Sequence, residues 1–194
     1  MVIRVIPANA AWDHAVSLDK HTVSSVPIGE NEQGHMQFNT VRTAVGEAMF
    51  KLKYRQDFTQ VNALAQKVAD AVLGNGFPKI DIVIPMPASK SRAKQPVTEI
   101  AKQVAALLSA QFVDDLLIKV QSTGVMKDLG SYAERAAALE NCFQYQNKFT
   151  SGQKNVLLVD DLYDTGATLE AACNTLRGYS KINTLSVVAL TRRT

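Results

Sequence analysis

Two adjacent carboxylates and a glycine turn follow an apolar run in the last quarter of the chain. Residues 156–159 are apolar, Asp160 and Asp161 come next, and Thr165-Gly166-Ala167-Thr168 follows shortly after. The apolar run predicts a buried parallel strand, and open α/β sheets bind ligands at the carboxyl ends of such strands. Carboxylates can bind sugar hydroxyls, and a glycine turn opening a helix can bind a phosphate. The stretch therefore predicts a site for a ribose 5-phosphate, against the alternative of a strand that merely ends in two acids.

A second group of charged residues follows an earlier predicted strand, residues 80–84. Lys90, Arg92 and Lys94 lie just beyond it, after a segment that includes Ala88 and Ser89. If the two strands are parallel, these cations lie at the same edge of the sheet as the acidic pair. The alternative is an exposed basic loop with no ligand.

The elements that must position these groups alternate between strand and helix from about residue 40 to 190. Helical spacing of apolar residues predicts helices over 41–52, 61–72, 97–108 and 169–176, the first with Asn39 or Thr40 as its N-cap. Further strands are predicted at 116–120, 143–145 and 185–190. The pattern predicts an α/β fold with an open, mostly parallel sheet and helices on both faces.

The first 38 residues show short strand patterns and no helical period. They predict a small β-rich arm or hood, so we expect two parts, residues 1–38 and 39–194. Because the chain ends soon after its last predicted strand, any cover over a ligand is expected to come from this arm. The three histidines of the arm are scattered, as surface or core histidines usually are.

Composition narrows the classes of protein that this chain can represent. The formal net charge of the 194 residues is +3, too mild to indicate nucleic-acid binding by itself. Cys142 and Cys173 form no zinc or disulfide pattern and are expected to be packing residues. The sequence shows neither a secretory signal nor an apolar run of membrane-spanning length, so we expect a cytoplasmic protein.

Residues 121–130 have no period and predict a long loop of the kind that can close over a site. Ser131 and Glu134 then form a capping box, which predicts the start of a helix.

Residues 156–168 resemble the motif by which type I phosphoribosyltransferases bind 5-phosphoribosyl-1-pyrophosphate (PRPP). The resemblance implies that Asp160 and Asp161 bind the ribose hydroxyls, and that the loop from Asp164 through Thr165, Gly166 and Ala167 to Thr168 wraps the 5-phosphate. It also implies that the pyrophosphate lies at the loop with Ala88, Ser89, Lys90 and Arg92.

The implied activity is transfer of ribose 5-phosphate from PRPP to a small nitrogenous acceptor. Mg²⁺ is the implied cofactor, reached by Asp160 and Asp161 through substrate and water. Lys90 and Arg92 would neutralise the leaving group, and Asp164 would act either as a general base or as a cap of the loop. Nucleic acid is not an expected partner, and a homodimer is left open.

Within this family the chain is similar to the ComF-type, amidophosphoribosyltransferase-like branch. The similarity lies in Lys51-Leu52-Lys53-Tyr54-Arg55, in the segment from Ile84 to the basic loop, and in residues 187–192. The cysteine-rich N-terminal segment of many such proteins is absent, and Lys94-Gln95-Pro96 replaces an expected Arg-Gly-Phe-Asn-Gln run. A regulator that binds PRPP or nucleotides without catalysis, or a competence-associated protein, is the alternative.

Overall fold

The computed structural model describes residues 1–90, 92–120, 139 and 141–193. The strands in these ranges are β1 (Arg4–Ile6), β2 (His14–Lys20), β3 (Thr22–Glu30), β4 (Met36–Arg42), β5 (Ile82–Pro85), β6 (Gln111–Phe112), β7 (Leu117–Lys119), β8 (Phe143–Tyr145), β9 (Lys154–Tyr163) and β10 (Ile182–Arg192). The helices are α1 (Ala44–Tyr54), α2 (Gln60–Gly74), α3 (Pro96–Leu107) and α4 (Ala167–Arg177). The expected loop 121–130, with the capping box at Ser131 and Glu134, lies outside the described residues.

In the described part of the chain, six strands form the main sheet, in the order β1-β2-β10-β9-β5-β6. Every neighbouring pair from β2 to β6 is parallel, and only β1, at one edge, is antiparallel to its neighbour β2. The predicted open, mostly parallel α/β sheet is confirmed. The strand predicted at 143–145 is β8, which pairs with β7 in a separate two-stranded sheet rather than joining the main one.

Helices cover both faces of the main sheet. Successive side chains of β9 point alternately toward one face and the other. Val156 and Leu158 pack with the apolar side of α4, while Leu157 and Val159 pack with α1, α2 and α3. All four side chains are fully buried, as a strand covered on both faces requires. Helices on both faces, as predicted from the alternating pattern, are therefore confirmed.

The chain leaves β5 and β9 in opposite directions. From β5 it passes through α3 to β6 on one side, and from β9 it passes through α4 to β10 on the other. Since α3 and α4 also pack on opposite faces, a crevice opens between β5 and β9 at the carboxyl edge of the sheet. Such a switch point is where open α/β sheets bind ligands.

The N-terminal segment is divided between the sheet and a ribbon. Strands β1 and β2 belong to the main sheet, whereas β3 and β4 form a separate antiparallel ribbon. The helix start expected at Asn39 or Thr40 is wrong: β4 runs to Arg42, paired with Thr22 of β3, and Thr43 caps α1 by accepting a hydrogen bond from the Gly46 amide at 3.0 Å. Cross-strand pairing thus overrides the local helical spacing. The division into residues 1–38 and 39–194 stays a prediction.

No helix in the described ranges is both long and apolar enough to cross a membrane. Cys142 and Cys173 are both buried and share no disulfide, in agreement with their expected packing role.

Helix α1 lies unusually close to the backbone between β2 and β3. A Cβ atom added to Gly46 would stand 2.0 Å from the carbonyl oxygen of His21, and that segment is itself fixed because the His21 amide donates to the Arg192 carbonyl at 2.7 Å. The first turn of α1 can therefore reach its position only with glycine at residue 46.

We predict that Gly46→Ala lowers the free energy of unfolding by about 1–3 kcal/mol, because either α1 or the β2–β3 segment must shift. Chemical denaturation measures the change. Gly74→Ala, near the end of α2 where an added Cβ meets nothing within 4 Å, is the matched control and should leave stability unchanged or slightly raised. Equal effects of the two substitutions would contradict the close packing at Gly46.

Candidate functional site

The candidate site lies at the carboxyl edge of the sheet, where β5 ends several residues before its neighbour β9. Strand β5 ends at Pro85, opposite Val159, and the Met86 amide donates to the Val159 carbonyl at 2.8 Å. Strand β9 continues to Tyr163, and among the described strands it pairs there with β10 alone. On the other side of Asp160 and Asp161, no described strand lies beside β9, and the cavity opens there.

Both carboxylates line one cavity of about 620 Å³, although they leave the strand in opposite directions. Alternation along β9 places Asp160 on the face covered by α4 and Asp161 on the face covered by α1. Because β5 stops short of them, the cavity extends around its end and reaches both faces.

Nearly all of the predicted site residues line this cavity. From the basic loop they are Ala88, Ser89, Lys90 and Arg92, and from the central stretch Asp160, Asp161, Asp164, Thr165, Gly166 and Thr168. Ala167 is buried beneath the loop and does not line it. Lys94 was expected to join Lys90 and Arg92, but it lies outside the lining, 3.5 Å from Glu99 and over the ring of Phe58.

Asp161 is held by contacts from two other elements. Lys53 Nζ, in the last turn of α1, lies 2.5 Å from Asp161 Oδ2. The Thr191 hydroxyl of β10 donates to the backbone carbonyl of Asp161 at 2.8 Å. His21 Nδ1 lies 3.3 Å from the same hydroxyl, so its ring donates there if Thr191 donates to Asp161.

Asp160 has an electrostatic environment different from that of its neighbour. Burial, together with the adjacent Asp161 carboxylate, raises the pKa of Asp160 to about 8, while the Asp161 amide, which donates to Asp160 Oδ1 at 2.8 Å, and the charge of Lys53 oppose the rise. The protonated form of Asp160 is therefore favoured over the charged form until a cation or a hydrogen-bonding ligand arrives.

The loop after β9 has the shape of an anion cradle. Gly166 has φ +88°, and a Cβ there would stand 2.9 Å from the Tyr163 hydroxyl, so both conformation and space favour glycine. Gly166 is also the N-cap residue of α4 and has no side chain with which to cap it. The Ala167 amide donates to Thr165 Oγ1 at 3.4 Å, whereas no acceptor among the described residues binds the Thr168 and Leu169 amides, which are thus available to an anion. Asp164 lies 3.2 Å from Arg193, which ties the loop to the end of β10.

A second helix start faces the cavity from the other side. Helix α3 begins at Pro96 with Gln95 as its N-cap, and the Gln95 amide group donates to the Lys90 carbonyl at 2.8 Å. Gln95, Pro96 and Thr98 line the cavity together with Lys90. The positive end of the α3 dipole therefore adds to the charges of the basic loop.

Several lining residues were not predicted as part of the site. Lys53, Tyr54, Lys119 and Arg193 all reach the cavity, from α1, β7 and the end of β10. The sequence carries a local signal only for the first two, within Lys51-Leu52-Lys53-Tyr54-Arg55, the segment that is similar to the ComF-type branch. The contact of Lys53 with a residue 108 positions away has no signature in local spacing.

The acidic pair could contribute to a metal site but could not complete one. Among the described residues, no group of three or more His, Cys, Asp and Glu side chains is placed to hold a metal ion. Mg²⁺ often takes only one or two carboxylates and draws its remaining ligands from phosphates and water. The donor set of Asp160 and Asp161 fits that mode.

No protein-family model matches the sequence, and no curated protein matches it. Among solved structures, the chain is similar to adenine phosphoribosyltransferase from Thermoanaerobacter pseudethanolicus, at 15% identity over 88% of this chain and 95% of that one, with a TM-score of 0.46. It is also similar to hypoxanthine phosphoribosyltransferase from Staphylococcus aureus, at 15% identity over 68% of this chain and 62% of that one, with a TM-score of 0.41. For UMP synthase from Leishmania donovani the identity is 12% over 86% of this chain and 27% of that one, with a TM-score of 0.39.

The chain thus spans 62% of the length of the Staphylococcus enzyme and 27% of the Leishmania one. Identities below 20% and TM-scores below 0.5 leave its function to be argued from its own residues.

We predict that Asp160→Asn stabilises the protein, and more so as the pH rises. The unfolded pKa is near 3.8 and the folded one about 8, so between these values the folded chain keeps a proton that the unfolded chain has lost. The contribution of Asp160 to the free energy of unfolding therefore falls as pH rises from about 4 to 8. Asparagine removes this loss, and the melting temperature should rise by about 2–5 °C at pH 8.

The measurement is a series of thermal melts from pH 4 to pH 8.5 for the natural chain and the variant. Asp114→Asn, at an exposed carboxylate in the loop before β7, is the control and should leave the pH dependence unchanged. A gain that stays constant across the pH range would contradict the raised pKa of Asp160.

Proposed function

We propose that the protein is a type I phosphoribosyltransferase that uses PRPP and Mg²⁺ to transfer ribose 5-phosphate to a small nitrogenous acceptor. The observation that carries the proposal is the single cavity at the β5–β9 switch point. It brings together an acidic pair, an amide-lined loop and a basic loop, which are the three groups that PRPP requires. The motif resemblance of residues 156–168 supports the same assignment.

In the proposed complex each part of PRPP has a counterpart in the cavity. The 5-phosphate binds at Thr165, Gly166 and Thr168, where the α4 amides are available. The pyrophosphate binds at Lys90 and Arg92, near the start of α3. The ribose then lies between them, with its hydroxyls toward Asp160 and Asp161.

The proposed reaction is a displacement at the anomeric carbon of PRPP. A bond from the acceptor nitrogen to that carbon forms, the bond from the carbon to the pyrophosphate oxygen breaks, and the bonding electron pair leaves with pyrophosphate. The proton of the nitrogen passes to water or to the Asp164 carboxylate. Because Asp164 already lies beside Arg193, a role in holding the loop is the better supported of its two predicted roles.

The chain's own cations stabilise the departing charge. Lys90 and Arg92 are exposed side chains on the cavity wall, so they can approach the pyrophosphate without breaking an ion pair in the described structure. Mg²⁺, held by substrate oxygens and water beside Asp160 and Asp161, would supply further neutralisation of the leaving group. Fixed positive charge at the point where negative charge develops lowers the barrier.

The assignment to the ComF-type branch rests on the residues of the Lys51-Leu52-Lys53-Tyr54-Arg55 segment and the strand ends, and we keep it as part of the proposal. A cytoplasmic location is proposed on the sequence alone.

The first test asks whether the basic loop recognises pyrophosphate. The Lys90→Met/Arg92→Met double variant should bind PRPP about 10- to 100-fold more weakly than the natural chain, because two charge-assisted contacts are lost. Its affinity for ribose 5-phosphate should be nearly unchanged. Isothermal titration calorimetry with Mg²⁺ measures both ligands. Lys102→Met, at an exposed lysine on α3, is the control and should change neither. Equal losses for both ligands would contradict the proposed orientation.

The second test asks whether the bound PRPP reacts. Pyrophosphate release from PRPP should appear with one member of a panel of nucleobases, ammonia and glutamine. Asp161→Asn should weaken PRPP binding by about 10- to 100-fold while the melting curve stays cooperative. PRPP binding without pyrophosphate release for any acceptor would favour a regulator, and no PRPP binding by the natural chain would overturn the proposal.

A further inference from the structure

We infer that Lys53 is a positioning residue for the ribose: it binds Oδ2 of Asp161 and so presents the other oxygen of that carboxylate to a ribose hydroxyl. The inference rests on the proposed function and assigns a role to a residue far from the central motif. Lys53 also lines the cavity itself, on the same wall as Asp161.

The position of Lys53 is determined by the packing of α1. Val45, Met49 and Leu52 are at most 1% exposed and fix the helix against the sheet. Gly46 allows the helix to approach the His21 backbone, and Thr43 caps its start. Lys53 follows the buried Leu52 directly, so its side chain leaves a helix that cannot rotate or slide without opening the core.

The backbone of Asp161 is fixed independently of Lys53, but its carboxylate is not. The Asp161 amide donates to Asp160 Oδ1, and its carbonyl accepts from Thr191, each at 2.8 Å. Neither contact restrains rotation of the side chain. Among the described residues, Lys53 is the side chain that contacts the carboxylate, at 2.5 Å, and it therefore selects the orientation.

The contact also solves a problem of charge. A ligand with phosphates at both ends of a ribose is strongly anionic, and it must bind beside two neighbouring carboxylates. A cation 2.5 Å from one of them offsets that repulsion at short range, where solvent screens least. Lys53 can serve in this way without touching the ligand, in contrast to Lys90 and Arg92.

The competing interpretation is an ion pair that only stabilises the fold. The Lys53 and Asp161 side chains are 26% and 23% exposed, and pairs that retain contact with water add little to stability. A purely structural pair would therefore affect the melting temperature slightly and PRPP affinity not at all, once the protein is folded.

The experiment measures PRPP dissociation constants by calorimetry at fixed Mg²⁺ for five proteins beside the natural chain. These are Lys53→Met, Lys53→Arg, Asp161→Asn, the Lys53→Met/Asp161→Asn double variant, and Lys51→Met as a matched control. Lys51 is exposed, lies two residues away on the same helix and does not line the cavity.

We expect Lys53→Met to weaken PRPP binding about tenfold or more, Lys51→Met to change it less than about twofold, and Lys53→Arg to recover most of the loss. In the Asp161→Asn background, Lys53→Met should add less than about threefold, because the carboxylate that it orients is already gone. Fully additive losses would overturn the inference, since they would mean that Lys53 acts on the ligand without Asp161.

The outcomes separate this inference from the proposed function. If the natural chain binds PRPP and Lys53→Met binds it as well as Lys51→Met does, the positioning role is wrong and the phosphoribosyltransferase proposal survives. If the natural chain does not bind PRPP, the proposed function fails first. Should Lys53→Met prove unfolded, Lys53→Arg decides: an affinity no better than that of Asp161→Asn would overturn the positioning role.

Discussion

The site depends on the unequal lengths of two adjacent strands. Strand β5 stops at Pro85, while β9 continues beside β10 to Tyr163. Had β5 continued, its backbone would occupy the space next to Asp160 and Asp161, and the sheet would separate their two faces. The Met86 amide still donates to Val159, but beyond it the chain turns away into the basic loop. One shortened strand thus creates the opening and delivers the cations to it.

The second constraint is electrostatic. Burial, together with the neighbouring Asp161 carboxylate, disfavours the charged form of Asp160, which is why the pKa of Asp160 is raised. Lys53 from α1 offsets part of this at Asp161, and Arg193 does the same for Asp164. Asp161 and Asp164 are therefore paired with cations from separate parts of the chain before any ligand arrives. The stability lost by gathering these charges is the usual cost of a functional site.

The sequence predicted the features that depend on neighbours along the chain. The apolar run before Asp160, the period of α4 and the strand-helix alternation were each sufficient to predict the sheet and the edge at which the two loops meet. Sequence could also predict that Lys90 and Arg92 would share a cavity with the acidic pair, because parallel strands place their carboxyl ends together.

What the sequence could not predict depends on contacts between distant segments. The pairing of Arg42 with Thr22 converts residues that have helical spacing into β4, and nothing local reveals it. The same holds for β2, whose place beside β10 puts part of the expected arm inside the sheet. Lys53 looked like an ordinary helix-end cation, since its partner is 108 residues away. Lys94 was expected to belong to the basic cluster, but it forms an ion pair with Glu99 in the first turn of α3 and lies outside the cavity lining.

The β3–β4 ribbon leaves and rejoins the body at almost one point. Its first residue, Thr22, pairs with its last, Arg42. Just beyond the ribbon, the Thr43 hydroxyl donates to the Lys20 carbonyl of β2 at 2.6 Å. None of the described residues 22–42 lines the cavity. Arg42, at the base of the ribbon, contacts Glu47 and the Phe50 ring of α1 and so belongs to the support of that helix. The rest of the ribbon is an insertion that could be shortened or grafted while the path from β2 to α1 keeps its geometry.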